Sequence, residues 1–221
     1  MADISSFEKI VRIDAFGCPS DLLTHQTRQS VIEFCAKSDI LTRDLDYTVA
    51  STDIDDEIND YVDFDLTEFV TSERPMTMLA MNINGTFWKS FRKNITDDIA
   101  NFDDIKADGT KYFDFITNTT LRVFDVDSSE TAWYFKIAFK PLQSATVVDD
   151  LLYEDWLEPI VAGAKSRLLA MPNKQWSDMD AAKINNVMYR RGITDAKLTV
   201  KKGYTDTPLS IQPQTYGNPR W

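Results

Sequence analysis

Histidine is nearly absent from this chain: His25 is the only one in 221 residues, beside two cysteines and seven glycines. Each shortage closes a route to chemistry. Ser-His-Asp or Cys-His catalysis would have to pass through His25, and no Gly-x-Ser-x-Gly elbow presents a nucleophile to it. Without an implied partner for general acid–base work, His25 reads as a surface or half-buried helix residue. Two cysteines and one histidine without ligand spacing fall short of a four-ligand zinc site. With so few glycines there is no Walker loop and no dinucleotide fingerprint. The expectation is a protein that is not an enzyme, with no catalytic residue, no cofactor and no metal.

Long apolar runs are missing too. None approaches the roughly 18 residues needed to span a bilayer, and none follows a basic N-terminal segment. This leads to the expectation of no membrane partner and synthesis in the cytoplasm of the producing cell. There Cys18 and Cys35 default to reduced thiols, buried or half buried.

Basic residues are scarce where acids abound. The formal net charge is −11, which argues against a protein that grips nucleic acid, because counterion release needs clustered Lys and Arg. Between residues 44 and 73 there are eleven acids, Asp55, Asp56 and Asp60 among them, and no Lys or Arg. From Lys183 to Lys202 the balance inverts to six basic residues against Asp195 alone. The acids form no calcium loop: Ile58 follows Asp53–Glu57 at the required glycine position, and Glu130 and Lys136 spoil the run that starts at Asp125. No pair among them stands out as a glycosidase dyad. A solvated acidic face is the reading.

What is present is enough for a core, with 43% hydrophobic and 12% aromatic residues. Phe7, Ile10, Val11, Ile13 and Phe16 suit a short helix or strand. From Ser20 to Ser38 the period is helical, with Leu23, Thr27, Val31, Phe34 and Cys35 on one face. The next hundred residues alternate instead. Runs at 41–49, 61–66, 76–83, 109–115, 120–126 and 132–139 read as strands, and Asp127–Glu130 reads as the loop of a hairpin between the last two. Residues 94–106 suit either a short helix or an ordered loop.

Beyond Lys140 the helical period returns. Leu152, Trp156, Ile160, Ala164 and Leu168 make one stripe, with a kink or break expected at Glu158-Pro159. Ala181, Ile184, Met188, Gly192 and Ala196 make the stripe of a second helix, for which Ser177 is the expected N-cap. Tyr153, Trp156 and Trp176 read as core first and interface anchors second. Pro208, Pro213 and Pro219 keep the last stretch out of any helix or strand interior.

The fold class expected is therefore α+β. An N-terminal helix in 1–40 and a helical pair in 141–203 form a bundle of about three main helices. An antiparallel β-sandwich or barrel in 41–140 is inserted between them, and an extended segment, 204–221, follows.

The C-terminal half also carries a string of motifs: Pro141, Ser144-Ala145, Leu152-Tyr153 with Trp156, Gly163-Ala164, Leu169 with Met171-Pro172, and Trp176-Ser177-Asp178. Near the N-terminus stand Gly17-Cys18-Pro19, Glu33-Phe34-Cys35 and Ser38. In these blocks the chain resembles the head-to-tail adaptor (connector) proteins of tailed bacteriophages. Leu41 stands near where that family has a tryptophan, and Asp149 where its linker often has a proline.

The resemblance implies a structural virion protein at the head–tail interface, assembled in the host bacterial cytoplasm. It implies a homo-oligomeric ring, a dodecamer, below the portal protein, through which DNA passes without specific binding. It also implies a platform for the next tail component, a nozzle, hub or stopper protein. The last stretch becomes a portal-docking arm, with Tyr204, Leu209, Ile211, Tyr216, Arg220 and Trp221 as its contacts. Asp55, Asp56 and Asp60 become candidates to line the channel. The competing expectation is a soluble carbohydrate- or calcium-binding module, a monomer whose melting temperature rises with its ligand.

Overall fold

The computed structural model describes residues 1–48, 61–66, 73–90, 112–115, 119–124, 126 and 131–202. The architecture is mixed α+β, with five helices and three open sheets among the described residues.

The chain opens with a two-residue strand β1 (Ala2–Asp3) and helix α1 (Ile4–Asp14), which settles the helix-or-strand alternative for this stretch. Asp3 caps α1 by accepting a hydrogen bond from the Ser5 backbone N–H at 2.7 Å. Helix α2 (Ser20–Ser38) follows, and Leu23, Thr27, Val31, Phe34 and Cys35 are all buried on one face, as the period predicts. It ends at Asp39, which takes the left-handed conformation at φ 56°.

The strands are β2 (Thr42–Thr48), β3 (Tyr61–Asp65), β4 (Glu73–Ile83), β5 (Thr86–Phe87), β6 (Lys89–Ser90), β7 (Tyr112–Phe115), β8 (Thr120–Phe124), β9 (Ala132–Pro141) and β10 (Val147–Val148). They form one sheet in the order β2-β9-β4-β5 and another in the order β3-β8-β7-β6, while β1 pairs with β10. Pairing is antiparallel except between β6 and β7. Neither large sheet closes into a barrel.

One expectation about the strands needs correction. Strands β8 and β9 are not a hairpin: β9 is flanked by β2 and β4, and β8 by β3 and β7, so the chain crosses from one sheet to the other between them. Both edges of β9 are already occupied along most of its length, because its inward residues Trp133, Phe135, Ile137 and Phe139 need cover from long neighbours. Among the described residues the hairpin with adjacent strands and a two-residue tip is β4–β5, at Asn84-Gly85. Both tip residues have positive φ, 45° and 87°, as the favoured tight hairpin turn requires.

The two sheets meet through aromatic rings. Phe64 on β3 lies 4.7 Å from Tyr47, 5.4 Å from Phe135 and 5.9 Å from Trp133, all on the other sheet. Burying each such ring contributes on the order of 1.5–3 kcal/mol. Pro75 interrupts the β4 ladder where the register shifts between Pro75 and Thr77, the kind of irregularity that tolerates proline in a strand.

The C-terminal helices are α3 (Asp150–Glu154), α4 (Leu157–Leu169) and α5 (Met179–Lys202). Asp149 caps α3 by accepting from the Leu151 N–H at 3.0 Å. The break comes at Asp155-Trp156, three residues before the expected Glu158-Pro159. Pro159 is thereby spared: in the first turn of α4 its missing N–H would have had no intrahelical partner anyway.

Helices α1 and α5 both pack on α2 and α4, and α4 with α5 shares the most extensive helix–helix contact. An ion-pair clamp braces the first sheet and reaches the residue that caps α3. Arg43 on β2 donates to both carboxylate oxygens of the buried Glu73 on β4, at 2.7 and 2.8 Å, and reaches Asp149 at 3.5 Å. That bidentate fork pushes the Arg43 pKa up.

Candidate functional site

The helix layer is held by close backbone approaches, which small residues alone permit. At Gly163 on α4, a β-carbon would fall 2.6 Å from Tyr189 Cδ2 and closer still to Ser30 Oγ. At Gly192 on α5, a β-carbon would fall 2.9 Å from Pro159 Cγ. The Ser30 and Tyr189 hydroxyls are satisfied within the crossing: Ser30 Oγ donates to the Ile160 carbonyl at 2.6 Å, and Tyr189 Oη donates to the Ser30 carbonyl at 3.1 Å. Burial pushes the Tyr189 phenol pKa up, opposed by the Arg167 guanidinium 5.7 Å from its ring. Arg167 in turn pairs with Glu33 of α2.

Close approach at Gly192 also decides how α5 is rotated, and here the expected stripe is corrected. The buried face is Ala182, Tyr189, Gly192, Ile193 and Ala196. Of the expected residues, Gly192 and Ala196 are buried, whereas Ile184 and Met188 are 63% and 49% exposed. Val187, 67% exposed, lies beside them, so the outer face of α5 carries three large apolar side chains over two adjacent turns. Basic residues surround this strip: Lys183, Arg190, Arg191 and Lys197 are all exposed. A groove of about 370 Å³ opens between the start of α5 and α4, lined by Glu33, Ser166, Arg167, Lys183, Asn186 and Tyr189.

A second exposed apolar pair stands at the end of α1, where Ile13 and Phe16 are 74% and 84% exposed. Phe87, 73% exposed, is a third isolated case beside the β4–β5 turn. Of the apolar set read near the N-terminus, Phe7 and Val11 are fully buried and these two are not.

The turn between α4 and α5 is built from the residues the sequence singled out, in altered roles. Asp178, not Ser177, caps α5, accepting from Asp180 N–H at 3.1 Å and Ala181 N–H at 2.9 Å. The Ser177 hydroxyl instead accepts from Lys174 N–H and donates to the Met171 carbonyl, closing the turn on itself. Trp156 packs on Phe34 at 5.7 Å between ring centroids and Tyr153 on Phe7 at 5.3 Å, while Trp176 is half buried. Cys18 and Cys35 are buried free thiols, and burial pushes both thiol pKa values up. His25 is exposed on α2.

The channel candidates Asp55, Asp56 and Asp60 and the arm residues Tyr204, Leu209, Ile211, Tyr216, Arg220 and Trp221 lie outside the described residues, as do the hairpin-loop stretch 127–130 and residues 94–106. Of the acids in 44–73 that are described, Asp44 and Asp46 are exposed on β2. Glu73 belongs to the Arg43 clamp, and Asp63 receives a two-pronged contact from Arg122 at 2.7 Å. The acidic run is thus partly structural. Among the described residues no helix is long and apolar enough to cross a membrane, and no group of three or more acids, cysteines or histidines is placed to hold a metal.

No protein-family model matches this chain, and a search of the curated proteins finds no match either.

Proposed function

We propose that this chain is a head-to-tail adaptor of a tailed bacteriophage: a structural protein that assembles as a ring, a dodecamer, below the portal and extends the DNA channel toward the tail. The observation that carries the reading is the coincidence between the motif residues and the joints of the helix layer. Gly163 of the Gly-Ala pair lies at the crossing of α2, α4 and α5, Trp156 packs on Phe34, and the Trp-Ser-Asp run closes the turn and caps α5. A set of residues that serves one rigid helical layer supports a load-bearing role better than a ligand-binding one.

In this role the helices make the ring by side-to-side contact, and the two sheets offer the platform for the next tail component, a nozzle, hub or stopper protein. Residues 204–221 are the arm that docks on the portal, through Tyr204, Leu209, Ile211, Tyr216, Arg220 and Trp221. Aromatic and arginine side chains are apt anchors for such contacts. Part of the acidic surface, Asp55, Asp56 and Asp60 included, lines the channel and repels DNA phosphates so that the genome slides.

The test is binding to portal rings of the phage that encodes the chain. The full chain binds and the chain lacking 204–221 does not. A full chain that ignores portals but gains melting temperature with calcium or a sugar overturns the reading in favour of a binding module. Neutralising Asp55, Asp56 and Asp60 to Asn slows DNA release from assembled particles; unchanged release removes the channel assignment.

A further inference from the structure

Among the described residues, two groups of exposed apolar side chains on the helical layer stand on different helices, and their placement is the informative part. Helices α1 and α5 each pack on both α2 and α4, but neither makes a substantial contact with the other. They therefore flank the α2–α4 pair on different sides. One flank exposes Ile184, Val187 and Met188 of α5, the other Ile13 and Phe16 at the end of α1.

The patches also lie at the same level along the helix layer. Lys165 near the end of α4 pairs with Asp14 at 2.7 Å, which sets the end of α1 beside the end of α4. Gly17, just beyond, abuts Gln175 in the turn that leads into α5: a β-carbon there would stand 3.4 Å from Gln175 Oε1. Ile184 to Met188 occupy the first half of α5, near that same turn.

Charge separates the flanks further. Helix α5 carries Lys183, Arg190, Arg191, Lys197, Lys201 and Lys202 against Asp180 and Asp195, a net of +4 in a chain of net −11. The α1 flank, to which α3 is joined by the Phe7–Tyr153 contact, carries Asp3, Glu8, Asp14, Asp150, Glu154 and Asp155 against the Met1 amino group, Lys9, Arg12 and the Lys165 that pairs with Asp14.

We infer that the outer face of α5 docks on the α1 flank of a second copy of this chain, with Ile184, Val187 and Met188 seated against Ile13 and Phe16 of that copy. The two surfaces differ, so the contact is head-to-tail, and patches at one level let successive copies turn about a common axis and close a ring without climbing into a filament. Apolar burial supplies the affinity, and the basic and acidic rims set the pairing and exclude contact of α5 with another α5. The inference rests on the ring-forming reading above and names the surfaces that the ring uses.

The experiment uses the full chain with Phe16→Cys, with Val187→Cys, and with both, treated with a short bismaleimide alone and in the presence of portal rings. The unsubstituted chain, whose cysteines are buried, is the control. The doubly substituted chain gives a ladder of covalent species that ends at the ring size. Each single variant alone stays at one chain, and a mixture of the two stops at two chains. Cross-linking of either single variant to itself marks a two-fold contact and overturns the inference. No ladder from a chain that assembles on portals overturns it too, while leaving the adaptor reading intact. A ladder from a chain that ignores portals keeps the inference and removes the adaptor. A chain that is monomeric in both conditions and gives no ladder overturns both. As a second arm, Val187→Asp keeps the melting temperature and loses the assembled mass; assembly unchanged from the unsubstituted chain contradicts the docking surface.

Discussion

Gly192 lies against Pro159, so close that a β-carbon on the glycine would come within 2.9 Å of the proline Cγ. The contact sets the rotation of α5 on α4 and thereby selects which apolar stripe of α5 is buried. Gly192→Ala forces the helices apart and costs about 1–3 kcal/mol. Gly163→Ala, wedged between Ser30 and Tyr189, costs at least as much. Urea unfolding of the two variants measures this; midpoints equal to that of the parent chain would mean that the helices yield freely.

Tyr189→Phe removes the hydroxyl that donates to the Ser30 carbonyl and leaves that buried acceptor short of a partner. The expected loss is about 1 kcal/mol, with the helical content unchanged. Far-ultraviolet circular dichroism and a melting curve report the two halves of this statement separately.

Arg43→Ala leaves the buried Glu73 carboxylate without its fork. Arg43 is 39% exposed, so water relieves part of the penalty and the loss is about 1–3 kcal/mol, below that of a fully buried pair. Replacing both partners, Arg43→Met with Glu73→Leu, regains part of it. A double-substitution cycle in urea gives the coupling, and a coupling of zero would show that the fork does not brace β2 against β4.

Asp39 ends α2 in the left-handed conformation, and burial raises its pKa while Lys197 pulls it down. A raised folded-state value means that the folded protein holds this proton more tightly than the unfolded chain. The resulting stability is present below the unfolded pKa and is lost as pH rises through the folded one. At neutral pH the carboxylate also faces the unfavourable end of the helix dipole. Asp39→Asn, which keeps the left-handed preference, therefore stabilises by about 0.5 kcal/mol at pH 7. The gain shrinks as the pH approaches 3. Melting curves at both pH values check the sign, and a gain that grows on acidification contradicts it.

Asp178→Ala costs about 1 kcal/mol by uncapping α5. Ser177→Ala acts on the preceding turn instead, through the hydrogen bonds its hydroxyl makes to Lys174 and Met171, and leaves the first turn of α5 protected. Amide exchange at Asp180 and Ala181 separates the two.

The elements were legible where period and chemistry agreed. In α2 every residue assigned to the inner face is buried, and β2, β3 and β9 begin within a residue or two of where alternation starts. Leu41, near a position where the resembled family has tryptophan, is buried here as well. Legibility failed where packing had to choose between equal local options. Helix α5 is apolar on two sides, and only the approach of Gly192 to Pro159 decides which side is covered. The pairing of β9 was hidden because strand partners are fixed by long-range cover of Trp133 and Phe135, not by the nearest loop. Asn84-Gly85, just past the run at 76–83, is a hairpin signal readable from the sequence. Asp178 was readable as a cap, since it precedes the first apolar residue of the α5 stripe, Ala181, by three residues and Ser177 precedes it by four.

The adaptor account is tested most directly by counting copies. The full chain is mixed with portal rings or heads that lack it, and the mass of the isolated complex is measured. A gain of twelve chains of 25.3 kDa on each portal is the predicted result. A chain that stays at 25.3 kDa, with portals of unchanged mass, would contradict it.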